Sequence, residues 1–222
     1  MNRLILLRHG QSQWNLENRF TGWHDVDLTE KGVAEATRAG ELMAGIRLDR
    51  VFASTLTRAY RTAVIALDTM AAHGADVAAI RDNGAWKITE HDDLRERHYG
   101  DLVGLNKAET AEKYGDEQVH KWRRGFAVVP PNGESLADVV ARVQPYFERE
   151  IRPLVEAGQN VLVAAHGNSL RAMLVVLGEY APEDIPGIEL PTGEPLVFEF
   201  EDGAKQRHYY LSDEAAQRDV AE

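Results

Sequence analysis

Short apolar runs alternate along the chain with longer segments in which apolar residues recur every three or four positions. The short runs are typical of buried β-strands, and the longer segments are typical of helices with one buried face. The predicted strands are residues 3–7, 49–53, 161–165, 196–200 and 206–210. The predicted helices are residues 30–44, 56–72, 136–155 and 168–177, with a mixed helical region over 106–126. This alternation predicts an α/β fold, a three-layer α/β/α sandwich with a mostly parallel central sheet.

Local signals mark several ends of these elements. Thr29 is placed to cap the helix that follows it, and Ser135 with Asp138 has the spacing of a capping box. In the helix over 136–155, Pro145 predicts a kink, because proline lacks the amide hydrogen that a helix interior needs. Gly158 then predicts the end of that helix.

The polar stretches give weaker patterns. Residues 74–93 predict one or two short strands around Val77 and Trp86, separated by a turn at 82–84. Residues 179–188 are expected to form a loop. Glu35 and Glu41 are expected on the exposed face of their helix, and Trp14, Trp23 and Trp122 are expected to serve in packing.

The composition is that of an ordinary globular protein. The chain has 222 residues, of which 44% are hydrophobic and 27% charged. That length fits one α/β domain, or at most two small ones, and we expect a single domain over 1–222 whose polar end, 212–222, is flexible. There is no cysteine, which excludes disulfide scaffolds, thiolate zinc sites and thiol catalysis. With neither a secretory pattern nor a run long enough to span a membrane, a cytoplasmic protein is expected.

The net charge of −11 makes the chain a poor candidate for binding nucleic acid or an anionic membrane. An anionic ligand would require a local cluster of cations. The positions of the arginines are therefore informative.

Two histidines occupy matching places after predicted strands. His9 follows the run that ends at Leu7, with Arg8 between, and His166 follows the run that ends at residue 165; each is followed by glycine. If the two strands are neighbours, both imidazoles lie at the carboxyl edge of the sheet, where α/β proteins bind ligands. The glycines, Gly10 and Gly167, would let backbone amides approach an anion.

Arginines can join this pair. Arg8 precedes His9, and Arg58 lies just after the second predicted strand, at the start of a helix. Arginine binds phosphate oxygens through two parallel hydrogen bonds, and a helix N-terminus favours the same ligand. Two imidazoles and two arginines around one point predict a phosphate site that uses no metal.

A histidine in such a site can attack phosphorus and carry the phosphoryl group. The attacking nitrogen must be unprotonated, and the other must donate to a fixed acceptor such as a backbone carbonyl. The leaving alkoxide needs a proton, which a carboxylic acid usually supplies. Several carboxylates compete for that role, and spacing alone does not choose among them.

The motifs form an ordered series that resembles the cofactor-dependent phosphoglycerate mutases of the histidine phosphatase superfamily. The series opens with Leu7-Arg8-His9-Gly10-Gln11-Ser12-Gln13-Trp14-Asn15 and Asn18-Arg19-Phe20-Thr21-Gly22-Trp23. It continues with Glu96-Arg97-His98-Tyr99-Gly100, Gly104-Leu105-Asn106-Lys107 and Trp122-Arg123-Arg124-Gly125-Phe126. It ends with Ala164-Ala165-His166-Gly167-Asn168-Ser169-Leu170-Arg171 and Pro191-Thr192-Gly193-Glu194-Pro195-Leu196. The resemblance covers nearly the whole chain.

The resemblance implies a phosphoglycerate mutase-like fold and a role for each matching residue. His9 would be the phosphohistidine nucleophile and Glu96 the proton donor and acceptor, while His166, Arg8 and Arg58 would stabilise the transferring group. The residues implied to hold the substrate are Arg8, Ser12, Asn15, Thr21, Gly22, Arg58, Glu96, Tyr99, Lys107, Arg123, Arg124, Gly167 and Asn168. The implied reaction interconverts 2- and 3-phosphoglycerate in glycolysis and gluconeogenesis. The implied cofactor is 2,3-bisphosphoglycerate, which primes His9, and no metal is used.

The sequence departs from the family pattern in places that leave this chemistry intact. Gln11 stands where members often have glutamate, and the loop over 127–134 is short. The segment over 82–93 also differs. These departures leave open whether the protein has the family's homo-oligomer interface and the family's lid over the site. Residues 24–27 and 90–93 could be read as metal ligands, but solvated loops explain them better, since neither has the spacing of a metal site.

The sequence leaves two other functions open. A phosphatase on the same fold would pass the phosphoryl group from His9 to water, and the discriminating feature is the cation set at Lys107, Arg123 and Arg124. A binding module without activity would not need both histidines and Glu96.

Overall fold

The computed structural model describes residues 1–213 of the chain. Its strands are β1 (Asn2–Arg8), β2 (Arg50–Ser54), β3 (Arg81–Asp82), β4 (Ala85–Trp86), β5 (Ile88–His91), β6 (Val161–Ala165), β7 (Pro195–Glu201) and β8 (Ala204–Tyr210). Its α-helices are α1 (Gln13–Leu16), α2 (Glu30–Met43), α3 (Thr57–Ala72), α4 (Lys107–Tyr114), α5 (Asp116–Arg124), α6 (Leu136–Tyr146), α7 (Arg152–Glu156) and α8 (Gly167–Val176).

Six strands form the central sheet in the order β5-β2-β6-β1-β7-β8. The four strands from β5 to β1 run parallel, and β7 and β8 add an antiparallel edge. Buried side chains cover both faces. Leu4 and Leu6 of β1 pack with α6 and α8, while Ile5 and Leu7 pack with α2 and α3. Burial on both sides explains why β1 reads as a continuous apolar run, and the predicted three-layer architecture is confirmed.

Most predicted elements are present with ends shifted by one or two residues. Thr29 caps α2 by accepting a hydrogen bond from the Gly32 amide at 3.1 Å. Ser135 and Asp138 form the predicted capping box at the start of α6. Within residues 1–213, no helix is long and apolar enough to cross a membrane. Past Asp213, the expected flexible end lies outside the described residues.

The prediction for residues 74–93 is partly wrong. Val77 lies in no strand and precedes a 3₁₀ turn at Ala78–Ile80. Trp86 belongs to the two-residue strand β4, which pairs with β3 across the expected turn. The strand that joins the main sheet is β5, whose Glu90 and His91 were expected in a loop. At the sheet edge β5 is short and polar, so it lacks the apolar run that marks the buried strands.

The long helix predicted over 136–155 is interrupted rather than simply kinked at Pro145. Pro145 lies inside α6, and a π-helical turn at Phe147–Ile151 separates α6 from α7. Pro153, at the start of α7, explains this position. It has no amide hydrogen for the carbonyl one turn earlier and its ring crowds that carbonyl, so the preceding turn widens.

Glu35 also differs from its expected place on an exposed helix face. Its carboxylate accepts a hydrogen bond from the Gln11 amide at 2.7 Å, and its side chain is 18% exposed. The loop that follows β1 is thereby attached to α2. Glu41 is exposed, as predicted.

Helices α2 and α3 pack closely through Gly40. A Cβ atom added at Gly40 would lie 2.5 Å from the Ala66 carbonyl oxygen and 2.6 Å from Thr69 Cβ. The glycine therefore sets the distance between the two helices.

The Gly40→Ala substitution tests this packing. Alanine should gain about 1 kcal/mol of helix propensity, but forcing the helices apart should cost about 3 kcal/mol, the upper end of the range for overpacking, because the contact is with backbone. We expect a lower free energy of unfolding in urea. Gly45→Ala, just past the end of α2, is the control for an added methyl group, since its added Cβ meets nothing within 4 Å. Equal or greater stability of Gly40→Ala would contradict this account.

Candidate active site

His9 and His166 lie side by side because β1 and β6 are neighbours. The pairing register sets Arg8 opposite Ala165, and the His9 amide donates to the Ala165 carbonyl at 3.0 Å. The two imidazole centroids are 4.9 Å apart with planes inclined by 60°. His9 Nδ1 lies 2.7 Å from the Gly10 carbonyl oxygen. This is the kind of fixed acceptor expected for Nδ1–H, and it leaves Nε2 unprotonated to attack phosphorus.

The two glycines after these histidines serve different purposes. A Cβ at Gly10 would lie 2.2 Å from the Gly32 carbonyl oxygen, and the Gly10 amide already donates to Thr62 Oγ1 at 3.1 Å. The expectation that Gly10 brings an amide to an anion is therefore wrong, and its size is required by contact with α2. Gly167 does line the cavity, at the N-terminus of α8 and close to Arg8.

Two arginines lie beside the histidine pair, of which Arg58 is buried and Arg8 half-buried. Arg58 is 1% exposed and donates to the carbonyls of Gly22 and His24 at 2.9 and 3.1 Å. Arg8 Nη1 donates to the Leu190 carbonyl at 2.6 Å. In residues 1–213, Arg8 Nε and both ring nitrogens of His166 are buried without a hydrogen-bond partner. Unsatisfied buried polar atoms are costly, and phosphate oxygens would satisfy the Arg8 Nε–H and the one N–H of a neutral His166.

Glu96 is held at the same edge by its backbone and its side chain. Its carbonyl accepts from Trp23 Nε1 at 2.6 Å and from Arg142 Nη2 at 3.0 Å. Its carboxylate Oε1 accepts from the amides of Arg97 and Asn168, at 2.7 and 3.2 Å. The Asn168 amide belongs to the first turn of α8, where the helix dipole favours a negative charge.

The far side of the cavity is strongly cationic. Lys107 begins α4, while Arg123 and Arg124 end α5. Arg97 fastens the segment behind them, since its guanidinium donates to the carbonyls of Glu134 and Val128 at 2.5 and 2.6 Å. The cavity has a volume of about 100 Å³. Its lining comprises Arg8, His9, Asn15, Arg19, Thr21, Gly22, Arg58, Glu96, Tyr99, Lys107, Arg123, Arg124, Gly167, Asn168, Arg171 and Glu189.

Two residues that the sequence analysis predicted for the site, Ser12 and His166, do not line the cavity. Ser12 is fully buried, and its hydroxyl accepts from the Asn15 amide at the start of α1. Its place is that of a helix cap supporting Asn15 rather than a direct ligand. His166 packs edge-on against the His9 ring and has no exposed surface.

Sequence reasoning assigned no role to three residues that line the cavity. Arg19 is held by the Gly104 carbonyl at 2.9 Å, and Arg171 by the Ile188 carbonyl at 2.8 Å. Arg171 could have been found from helical periodicity, because it lies one turn after Gly167 on α8. Glu189 carries no such signal, since its position depends on the path of a loop.

The acidic segment at residues 24–27, which could be read as metal ligands, has structural partners. Asp25 accepts hydrogen bonds from the amide and hydroxyl of Thr57 at the start of α3, and Asp27 pairs with Arg61. Among residues 1–213, no group of three or more His, Asp or Glu side chains is arranged to hold a metal ion.

The chain matches the model of the histidine phosphatase superfamily, branch 1, over residues 4–211. The chain belongs to this superfamily. It is 48% identical to two proteins named 2,3-bisphosphoglycerate-dependent phosphoglycerate mutase, from Sphingopyxis alaskensis and Novosphingobium aromaticivorans. Both alignments cover 96% of this chain and 100% of the relative. The resemblance noted from the motifs is confirmed.

Solved structures that resemble this chain include an enzyme with a different named activity. Mycobacterial glucosyl-3-phosphoglycerate phosphatase superposes with a TM-score of 0.72 at 26% identity, over 94% of this chain and 96% of that one. The fold is thus shared by a phosphatase, and only the site can distinguish the activities.

Burial has the largest effect on the pKa values of His9 and His166. Burial, followed by the charges of Arg58 and Arg8, lowers the pKa of His9 well below its usual value. Burial and then Arg58 lower the pKa of His166 in the same way. Both imidazoles are therefore neutral near pH 7, as a nucleophile and a neutral hydrogen-bond donor require.

The ligand-free protein should lose stability as the pH falls below about 6.5, the value for an unfolded histidine. The unfolded chain then binds protons that the native pair does not, so the loss should approach about 1.4 kcal/mol per pH unit for each histidine. Urea unfolding between pH 5 and 8 measures the slope. His166→Gln should reduce it, whereas the control at exposed His120, His120→Gln, should not. An unchanged slope in His166→Gln would contradict the pKa assignment.

Lys107 provides a second pH-dependent property. Burial, followed by the charge of Arg123, lowers its pKa to about 8. A bound anion favours the charged amine, so binding of 2,3-bisphosphoglycerate near pH 8 should take up a proton. Calorimetry in buffers of different ionisation enthalpy measures this uptake. It should vanish in Lys107→Arg, because a guanidinium stays charged, and equal uptake by both proteins would refute the assignment.

Proposed function

We propose that the protein is a 2,3-bisphosphoglycerate-dependent phosphoglycerate mutase that interconverts 2- and 3-phosphoglycerate. The observation that carries the proposal is one cavity with two cationic ends. His9 with Arg8 and Arg58 forms one end, and Lys107, Arg123 and Arg124 form the other. The two relatives of that name, 48% identical over their full length, support it.

In this proposal His9 is the nucleophile. Nδ1–H is held by the Gly10 carbonyl, so the Nε2 lone pair attacks phosphorus and the bond from phosphorus to the substrate oxygen breaks. Glu96 gives the leaving alkoxide a proton. In the return step the Glu96 carboxylate takes the proton from the attacking hydroxyl as the bond between Nε2 and phosphorus breaks. Arg8, Arg58 and neutral His166 hold the equatorial oxygens as their charge develops.

The far end determines what happens between the two transfers. Lys107, Arg123 and Arg124 would hold the carboxylate or second phosphate of the substrate, with Arg19 and Tyr99 beside them. Asn15, Thr21, Gly22 and Asn168 would hold phosphate or hydroxyl oxygens. When bound, 2,3-bisphosphoglycerate supplies the phosphoryl group that primes His9. The Arg8 Nε–H and the N–H of His166, which have no hydrogen-bond partner among residues 1–213, suit a phosphate at this position.

We also propose that residues 1–222 act as one domain in the cytoplasm. The match to full-length relatives supports a single unit, and a substrate shared with central metabolism suits that location.

Phosphorus NMR on 3-phosphoglycerate in EDTA tests the activity. We expect conversion to 2-phosphoglycerate that requires catalytic 2,3-bisphosphoglycerate and survives the chelator. His9→Ala should lower the rate about 10³-fold or more, because no other group can carry the phosphoryl. His120→Gln serves as the control for handling and folding. Full activity in His9→Ala would contradict the proposed nucleophile.

A phosphatase is the second candidate, favoured by the structural similarity to glucosyl-3-phosphoglycerate phosphatase. The same NMR experiment separates the two. Inorganic phosphate accumulating much faster than 2-phosphoglycerate would identify a phosphatase, whereas slow release would identify a mutase that retains its bisphosphorylated intermediate.

A further inference from the structure

Glu189 is a carboxylate in a cavity otherwise suited to anions. Seven Lys or Arg side chains line the cavity, with two carboxylates, Glu96 and Glu189. Glu96 has a place in the proposed proton transfer, but Glu189 has none. Glu189 forms ion pairs with two cations at the far end, with Arg124 and, at 3.5 Å, with Arg171.

Two arginines of the site hold the backbone on either side of Glu189 by hydrogen bonds. The carbonyl of Ile188 accepts from Arg171 Nε at 2.8 Å, and the carbonyl of Leu190 accepts from Arg8 Nη1 at 2.6 Å. Glu189 is thus held between two residues that bind site arginines. Its own side chain is 66% exposed, so it can turn towards solvent without moving the backbone on either side.

The arginines that Glu189 contacts lie close together. Arg171 is buried, and burial followed by the charge of Arg124 lowers its pKa to about 10, while Glu189 acts in the opposite direction. In the ligand-free protein a carboxylate between these guanidiniums relieves their repulsion. An anionic substrate group at the same guanidiniums would do so as well, and the two cannot share the same donors.

We propose that Glu189 is an internal counterion that competes with the anionic far end of the substrate for Arg124 and Arg171. This inference rests on the proposed function for the identity of the substrate. Glu189 would be a residue that sets specificity: it weakens binding at the far end while leaving phosphate binding at the histidine pair unaffected.

The test compares two ligands in four proteins. Calorimetry measures binding of 3-phosphoglycerate, which can reach both ends, and of inorganic phosphate, which needs only the histidine end. The proteins are the unphosphorylated wild type, Glu189→Gln, Glu189→Asp and the control Glu183→Gln. Glu183 is an exposed residue of the same connection between α8 and β7, so the control makes the same change in net charge outside the cavity.

We expect Glu189→Gln to bind 3-phosphoglycerate about three- to tenfold more tightly, the range for losing partly exposed ion pairs that compete with a ligand. Inorganic phosphate should bind equally well to the variant and the wild type. The gain should shrink in high salt. Glu189→Asp should stay closer to the wild type, and Glu183→Gln should match it. In turnover KM should fall without a rise in kcat, because both ground and transition states gain the same contact.

Three results would overturn the inference. Unchanged or weaker binding of 3-phosphoglycerate to Glu189→Gln would show that the carboxylate does not compete. Equally tighter binding of inorganic phosphate would show a general field effect, and an equal gain in Glu183→Gln would show a net-charge effect. Failure of the proposed function would instead appear as absent isomerisation by the wild type, and the affinity ratio between proteins would still test the role of Glu189.

Discussion

The parallel pairing of β1 with β6 places Arg8 opposite Ala165, so the residues that follow both strands start from the same level of the sheet. His9, His166 and the first turn of α8 all depend on this register. A shift by one residue would turn each side chain to the other face, which would separate the imidazoles and move the amide that holds Glu96. The geometry of the site is therefore maintained by the hydrogen bonds of the sheet and by the apolar residues that bury both of its faces.

Sequence patterns predicted the parts of this arrangement that depend on local signals. Apolar runs predicted β1 and β6, and the histidines after them were expected to meet. Edge strand β5 was missed because four residues, mostly polar, carry no strong pattern. Gly10 was misinterpreted because its close contact is with Gly32, on a helix that sequence spacing cannot position. Glu189 was missed because its place follows from hydrogen bonds that fix a loop.

The fold alone does not distinguish a mutase from a phosphatase, since a named phosphatase shares it. The histidine end would carry out the same transfer in either case. In the proposed function, what differs is how long the second anionic group is held, and that would depend on side chains at the start of α4, at the end of α5 and within α8. On that proposal, the choice between the two activities would lie with the charges around Lys107, Arg123 and Arg171, at the end of the cavity away from His9.

The close contact at Gly10 ties the position of the nucleophile to a helix. The carbonyl of Gly32 leaves no room for even a methyl group at Gly10, so the loop after β1 touches α2 backbone to backbone. The segment after α5 is also held through its backbone, since the Asp101 amide donates to the Pro131 carbonyl at 2.9 Å and the Glu134 amide donates to the His98 carbonyl at 2.8 Å. Backbone contacts therefore hold both sides of the cavity, and any displacement of α2 would carry His9 with it.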